Sequence, residues 1–166
     1  IAEELGIRFV TERLTPEQKA AMLDESLRSL SNDDRLAFYR VFLNMPPFKL
    51  MSPKDKEVVI QKAIDELAKI PQPVPNTSGN NDADKVFEAL AGTILAVSNI
   101  SQAFAGKALE QMFALRALSE DMLDVLILLH GYWSDIGGQY PEYVSTLIRI
   151  TKHPQFNEKL AQNLFE

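Results

Sequence analysis

The chain has 166 residues, of which 46% are apolar and 24% are charged, and these values are typical of a globular domain with a hydrophobic core. The absence of cysteine excludes disulfide bonds, thiolate metal sites and a cysteine nucleophile. The net charge is −6 and the lysines stand among acidic residues, which argues against nucleic acid or an anionic membrane surface as a partner.

Helix-capping signals stand at three places before residue 70. Thr15-Pro16-Glu17-Gln18 is a capping box with proline at the first helical position, and Ser52-Pro53-Lys54-Asp55 repeats this arrangement. Between them, Ser31 or Asn32 caps a third helix. Apolar spacing predicts three amphipathic helices, with the buried faces Ala20, Leu23, Leu27 and Leu30; Leu36, Phe38, Tyr39, Phe42, Leu43 and Met45; and Val59, Ile60, Ala63, Ile64, Leu67 and Ile70. On the last of these helices, Asp65 and Lys69 are four residues apart, in the order that favours an ion pair.

An internal repeat is an alternative to a simple helical bundle. Thr15-Pro16 and Ser52-Pro53 lie 37 residues apart, and each pair is followed by a lysine, Lys19 or Lys56. Helical-repeat proteins have periods in this range and stack their repeats into solenoids. The signal consists of two copies of a common cap motif, and no third copy follows.

A proline-rich segment divides the chain. Pro71, Pro73 and Pro75 alternate with other residues and are followed by polar residues and glycine, which predicts a linker or long loop over 71–82. It separates an N-terminal helical group, 1–70, from a C-terminal group, 83–166. Because 70 residues form a small core, we expect both groups to belong to one compact domain.

The C-terminal group opens with an uncharged run, Ala89 to Gly106. Four polar residues near its middle favour two helices with a turn near Asn99 over a membrane span. Further along, Ser119 caps a helix that contains the wholly apolar run Val125 to Leu129, and this helix is expected at the centre of the core. A last amphipathic helix is predicted near residues 156–165.

No pattern of catalytic or metal-binding residues is found. The two histidines, His130 and His153, are 23 residues apart and lack the spacing of a metal site. Serine-hydrolase motifs and phosphate-binding glycine loops are absent from the sequence, and the acidic residues at 120–124 suit a helix N-terminus. We therefore assign no catalytic residue, metal or cofactor; this favours a function other than catalysis, and an enzyme with scattered acid and base groups stays an alternative.

Aromatic residues are concentrated in one short segment. Tyr132, Trp133, Tyr140 and Tyr143 include the only tryptophan and three of the four tyrosines, and Gly137-Gly138 lies between them. Tyrosine and tryptophan are enriched in protein interfaces, so these four residues are candidate partner-binding residues. Phe48, in the apolar segment Met45 to Met51, is a further candidate if the segment is an exposed loop that follows a helix stopped by two prolines.

The sequence thus predicts an all-α fold of seven to eight helices, in a bundle or an irregular orthogonal packing. The expected function is protein–protein interaction, as an adaptor, chaperone-like or inhibitory domain. One alternative is a helical pocket for an apolar small molecule, lined by Phe87, Phe104, Met112 and Phe113. Another alternative is an enzyme with scattered acid and base groups. The partner, the oligomeric state and the compartment stay open, since a cysteine-free chain suits both the cytosol and bacterial secretion.

Overall fold

The computed structural model of this protein describes residues 1–70, 82–98 and 100–115, together with Lys152 and Glu158. These described residues contain no β-strand, and their helices are α1 (Ala2–Thr11), α2 (Pro16–Leu27), α3 (Asn32–Phe42), α4 (Pro46–Leu50), α5 (Pro53–Ala68), α6 (Asp82–Val97) and α7 (Gln102–Leu115). The prediction of an all-α fold is confirmed.

The predicted caps begin their helices. In the capping box of α2, the Thr15 hydroxyl accepts a hydrogen bond from the Gln18 amide at 3.2 Å, and the Gln18 side chain accepts one from the Thr15 amide at 2.9 Å. Ser52 caps α5 by accepting from the Asp55 amide at 3.2 Å. For α3 the cap is Ser31 rather than Asn32. These bonds satisfy amide groups that have no partner within their own helix.

The segment between α3 and α5 is a short helix, not the loop expected from its prolines. Pro46 and Pro47 occupy the first positions of α4. An amide hydrogen is not needed at these positions, and the fixed backbone angle of proline suits the first turn. The prolines that follow α3 therefore also begin the next helix.

The described helices fall into two compact units, Ile1–Ile100 with α1 to α6 and Ser101–Glu166 with α7. In the first unit, α5 packs against α2, α3 and α6, while α1 packs against α3 and α4. The predicted apolar faces form its core, which includes Leu23, Leu27, Leu36, Tyr39, Phe42, Leu43, Val59, Ile60, Ala63, Ile64 and Leu67. Although α6 follows the proline-rich segment, it belongs with the helices of residues 1–70.

Helices α2 and α5 run parallel to each other. Lys19 near the start of α2 pairs with Asp55 near the start of α5, and Asp24, further along α2, pairs with Lys62, further along α5. Since both helices advance in the same direction between these two contacts, their axes point the same way. A parallel pair requires a connection that returns to the starting end, and α3 and α4 lie in that connection.

The uncharged run of the sequence is divided between α6 and α7. Helix α6 ends at Val97 and α7 begins at Gln102, where the Ser101 hydroxyl accepts a hydrogen bond from the Phe104 amide at 3.1 Å. The predicted turn near Asn99 is confirmed, although Asn99 itself is not described. Within the described part of the chain, no helix combines the length and apolar character needed to cross a membrane. Residues 71–81, Val125 to Leu129 and the predicted last helix lie outside the described residues.

Candidate functional site

A buried ion pair joins three helices of the first unit. Lys19 and Asp55 are only 6% and 9% exposed, and the Lys19 Nζ lies 2.5 Å from the Asp55 Oδ2. The same ammonium donates a hydrogen bond of 2.9 Å to the backbone carbonyl of Phe9 at the end of α1, and it lies 5.9 Å from the centre of the Phe9 ring. The lysine of α2 therefore holds both α1 and α5.

A second charged cluster surrounds Glu66, which is also buried on α5. Lys69 donates to the Glu66 Oε1 at 2.9 Å, and the Arg35 guanidinium lies 3.8 Å from the same oxygen. Arg35 also donates to the backbone carbonyls of Leu27 and Arg28, and so it satisfies acceptors at the end of α2. This cluster ties α2, α3 and α5 together at the end opposite to Lys19.

The sequence pattern predicted a different partner for Lys69. Its ammonium contacts Glu66, three residues earlier, whereas Asp65 accepts a hydrogen bond from Gln61. The expected Asp65–Lys69 pair is therefore not formed. Glu66 is the better partner because its buried carboxylate has lost water and requires compensation by neighbouring charges.

Neither cluster has the properties of a catalytic centre. Each buried charge is compensated by an opposite charge from another helix or another turn, which is the arrangement expected of a structural contact. Burial, together with the negative charge of Glu66, raises the pKa of the Tyr39 hydroxyl far above its ordinary value. Tyr39 therefore stays protonated and is a poor base or nucleophile.

The exposed apolar side chains are distributed unevenly over the first unit. Of the large apolar residues that are prominently exposed in the described chain, all but Val86 lie on α1, α3 or α4 or directly precede α1: these are Ile1, Ile7, Val10, Val41 and Leu50. We call these five residues the α1/α3/α4 set. Helix α1 packs against both α3 and α4, so the set belongs to one group of contacting helices.

Phe48, the predicted contact residue of the apolar segment, points into the core. Its side chain is 3% exposed, and the Lys56 ammonium lies 5.8 Å from the centre of its ring. Met51 is buried as well, whereas Leu50 between them is 74% exposed. A contact made by this segment would use Leu50, because Phe48 and Met51 anchor it to the core.

The other predicted site residues are not placed by the structure. Tyr132, Trp133, Tyr140 and Tyr143 lie outside the described residues, as do both histidines. Of the residues proposed to line an apolar pocket, Phe87 is buried in the first unit, and Phe104 and Met112 are buried residues of α7. The side chain of Phe113 is not described.

Sequence reasoning missed the roles of Lys19 and Arg35. Lys19 occupies a polar-looking position one turn into α2, and only its spacing with Leu23 and Leu27, four and eight residues later, indicates that it shares their buried face. Arg35 carries no comparable signal, because its role depends on which helices meet.

Among the described residues, no group of three or more acidic, histidine or cysteine side chains is arranged to hold a metal ion. No protein-family model, curated protein or solved structure matches this chain.

Proposed function

We propose that this protein acts by binding another protein, and that the α1/α3/α4 set forms part of the contact surface. The observation that carries the proposal is the concentration of exposed apolar side chains on helices that pack against one another. Single exposed apolar residues are ordinary on protein surfaces, whereas their concentration is typical of interaction sites.

The local structure holds the exposed Leu50 in a fixed position. Phe48 and Met51 are buried on either side of it, and α4 begins with two prolines that restrict its backbone. An exposed side chain on such a fixed segment loses little conformational freedom when a partner covers it. Preorganisation of this kind favours binding because less ordering is needed at the moment of association.

The surroundings of the set also suit a protein partner. Charged residues of both signs are exposed on the same helices, namely Glu3, Glu4, Arg40 and Lys49. Apolar residues with a polar, mixed-charge border form the usual anatomy of a protein interface. The proposed partner surface therefore combines exposed apolar side chains with charged groups of both signs.

The aromatic segment supplies a second proposed contact. Tyr132, Trp133, Tyr140 and Tyr143 carry most of the tyrosine and tryptophan of the chain, and such side chains often provide a large share of interface energy. This part of the proposal depends on the sequence alone.

The experiment is site-specific photo-crosslinking in lysate of the native cell. A photoreactive amino acid replaces Leu50, and the matched control carries it at Arg28, an exposed residue that directly follows α2 and lies outside the set. We expect a crosslinked protein with the probe at position 50 and none with the probe at position 28.

A double variant tests whether the captured protein recognises the apolar side chains. Ile7→Ser combined with Val41→Ser should weaken binding of the purified partner by at least about ten-fold, since each loses apolar contact area. Val86→Ser, on α6, is the control and should bind normally. Equal binding by both variants, or equal crosslinking at positions 50 and 28, would contradict the proposal.

A further inference from the structure

Helices α1 to α6 show a regular pattern of contacts. Helix α1 packs against α4, α2 packs against α5, and α3 packs against α6, so every helix of the first three contacts its counterpart three helices later. In each set of three, a shorter first helix precedes two longer ones. Stacked repeats produce such a correspondence because each repeat contacts its neighbour through equivalent elements.

The second helices of the two sets are built alike. Both α2 and α5 begin with a hydroxyl cap followed by proline at the first helical position, Thr15-Pro16 and Ser52-Pro53. Their buried residues correspond as well: Leu23 and Ile60 lie eight residues after their caps and are both fully buried. Leu27 and Ile64, twelve residues after the caps, are buried too.

A lysine–phenylalanine contact is also repeated. Lys19 and Lys56 each lie four residues after the cap. Each ammonium is close to the ring of a phenylalanine on the preceding helix, 5.9 Å from the ring centre of Phe9 on α1 and 5.8 Å from that of Phe48 on α4. The same position in both helices therefore makes the same contact with the preceding helix, α1 or α4.

The direction of the helices agrees with this correspondence. Helices α2 and α5 are parallel, as the pairs Lys19–Asp55 and Asp24–Lys62 show. Equivalent helices in successive repeats must run the same way if one repeat is to superpose on the next by a translation and a small rotation. Neighbouring helices in an up-and-down bundle would instead be antiparallel.

From these four observations we infer that the first unit consists of two stacked copies of one three-helix repeat, α1–α3 and α4–α6, and that the contact between α2 and α5 is an inter-repeat interface. The inference does not depend on the proposed function. The residues of the α1/α3/α4 set belong to α1 and α3 of the first repeat and to α4 of the second. A partner bound there would therefore contact both copies.

The repeat predicts how the unit opens. In a stack, stability is the sum of the repeats and the interfaces between neighbours, so a destabilised repeat opens before the other. Leu23→Ala and Ile60→Ala form a matched pair, since both residues are fully buried and occupy equivalent positions. Each variant is studied in the full chain by hydrogen exchange with mass spectrometry.

We expect Leu23→Ala to accelerate exchange in α1–α3 by at least about ten-fold more than in α4–α6, and Ile60→Ala to show the reverse preference. If either variant does not fold, the milder matched pair Leu27→Val and Ile64→Val takes its place. Equal acceleration of all six helices by both members of a pair would show a single cooperative core and overturn the inference, as would any grouping of helices other than α1–α3 and α4–α6.

Discussion

At the scale of single residues, the described structure depends on charges buried between helices. Lys19 has two partners on two other helices, the Asp55 carboxylate and the Phe9 carbonyl. Two charges taken out of water gain little net stability from each other, but a single one left behind is strongly unfavourable. We therefore expect such a pair to favour one arrangement of the helices more than it adds to stability.

Replacement of Lys19 tests this role. Lys19→Met keeps the length of the side chain but leaves the Asp55 carboxylate buried without its cation, and the free energy of unfolding should fall by about 3–5 kcal/mol. Lys62→Met is the matched control, because its partner Asp24 is largely exposed and the loss should be about 0–1 kcal/mol. Urea denaturation measures both values. Similar losses in the two variants would mean that breaking the buried Lys19–Asp55 pair costs no more stability than breaking the more exposed Lys62–Asp24 pair.

Tyr39 gives a prediction of pH dependence. In the unfolded chain its hydroxyl ionises near the ordinary pKa of 10.0, whereas burial raises the pKa in the folded protein. Above the pKa of the unfolded chain, the unfolded state binds fewer protons than the folded state. The stability that the buried, protonated Tyr39 contributes at neutral pH is therefore lost as pH rises.

Tyr39→Phe removes this titration but leaves the lysines unchanged. Between about pH 8 and about pH 11, the free energy of unfolding of the unsubstituted protein should decline by about 1.4 kcal/mol more than that of the variant. Urea denaturation at several alkaline pH values gives the comparison. Parallel pH profiles would show that Tyr39 ionises equally in both states.

At the scale of helices, local signals fix where an element begins, while close contacts fix how elements meet. Thr15, Ser31 and Ser52 act through amides three residues away, so their effect is independent of the rest of the fold. The contact of α1 with α4 is different in kind, since it requires Gly6 to approach Pro47 from another helix.

Gly6→Ala tests that approach. A Cβ at position 6 would lie 2.7 Å from the Pro47 Cβ, which is too close for two carbon atoms and cannot be relieved by rotation of a rigid proline ring. We expect a loss of about 1–3 kcal/mol, as for other overpacked contacts.

Gly92→Ala on α6 provides the control, because a Cβ there meets no atom within 4 Å. Alanine should stabilise this helix by about 0.5–1 kcal/mol, since it restricts the unfolded chain. Thermal unfolding followed by circular dichroism measures both variants. A gain in stability from Gly6→Ala would show that α1 can move away from α4 without cost.

At the scale of the whole molecule, the described chain contains two compact units, and the boundary between them lies after α6. Helix α6 follows the proline-rich segment in the chain and packs against α3 and α5. Composition indicates where a chain is extended, but it does not indicate to which core the next helix returns.

The sequence by itself determined the helical class, the starts of α2, α3 and α5, and the buried faces of these helices, because caps and apolar periodicity act within a few residues of the chain. Only the tertiary structure decided that α2 and α5 are parallel, that Lys19 pairs with Asp55, that Lys69 pairs with Glu66, and that Leu50 rather than Phe48 is exposed. These features depend on side chains brought together from distant positions, and a charge or ring has the same local pattern whether it faces water or another helix. The candidate site was less predictable than the fold for this reason: exposure is a property of the packed molecule, whereas the beginning of a helix is a property of the chain.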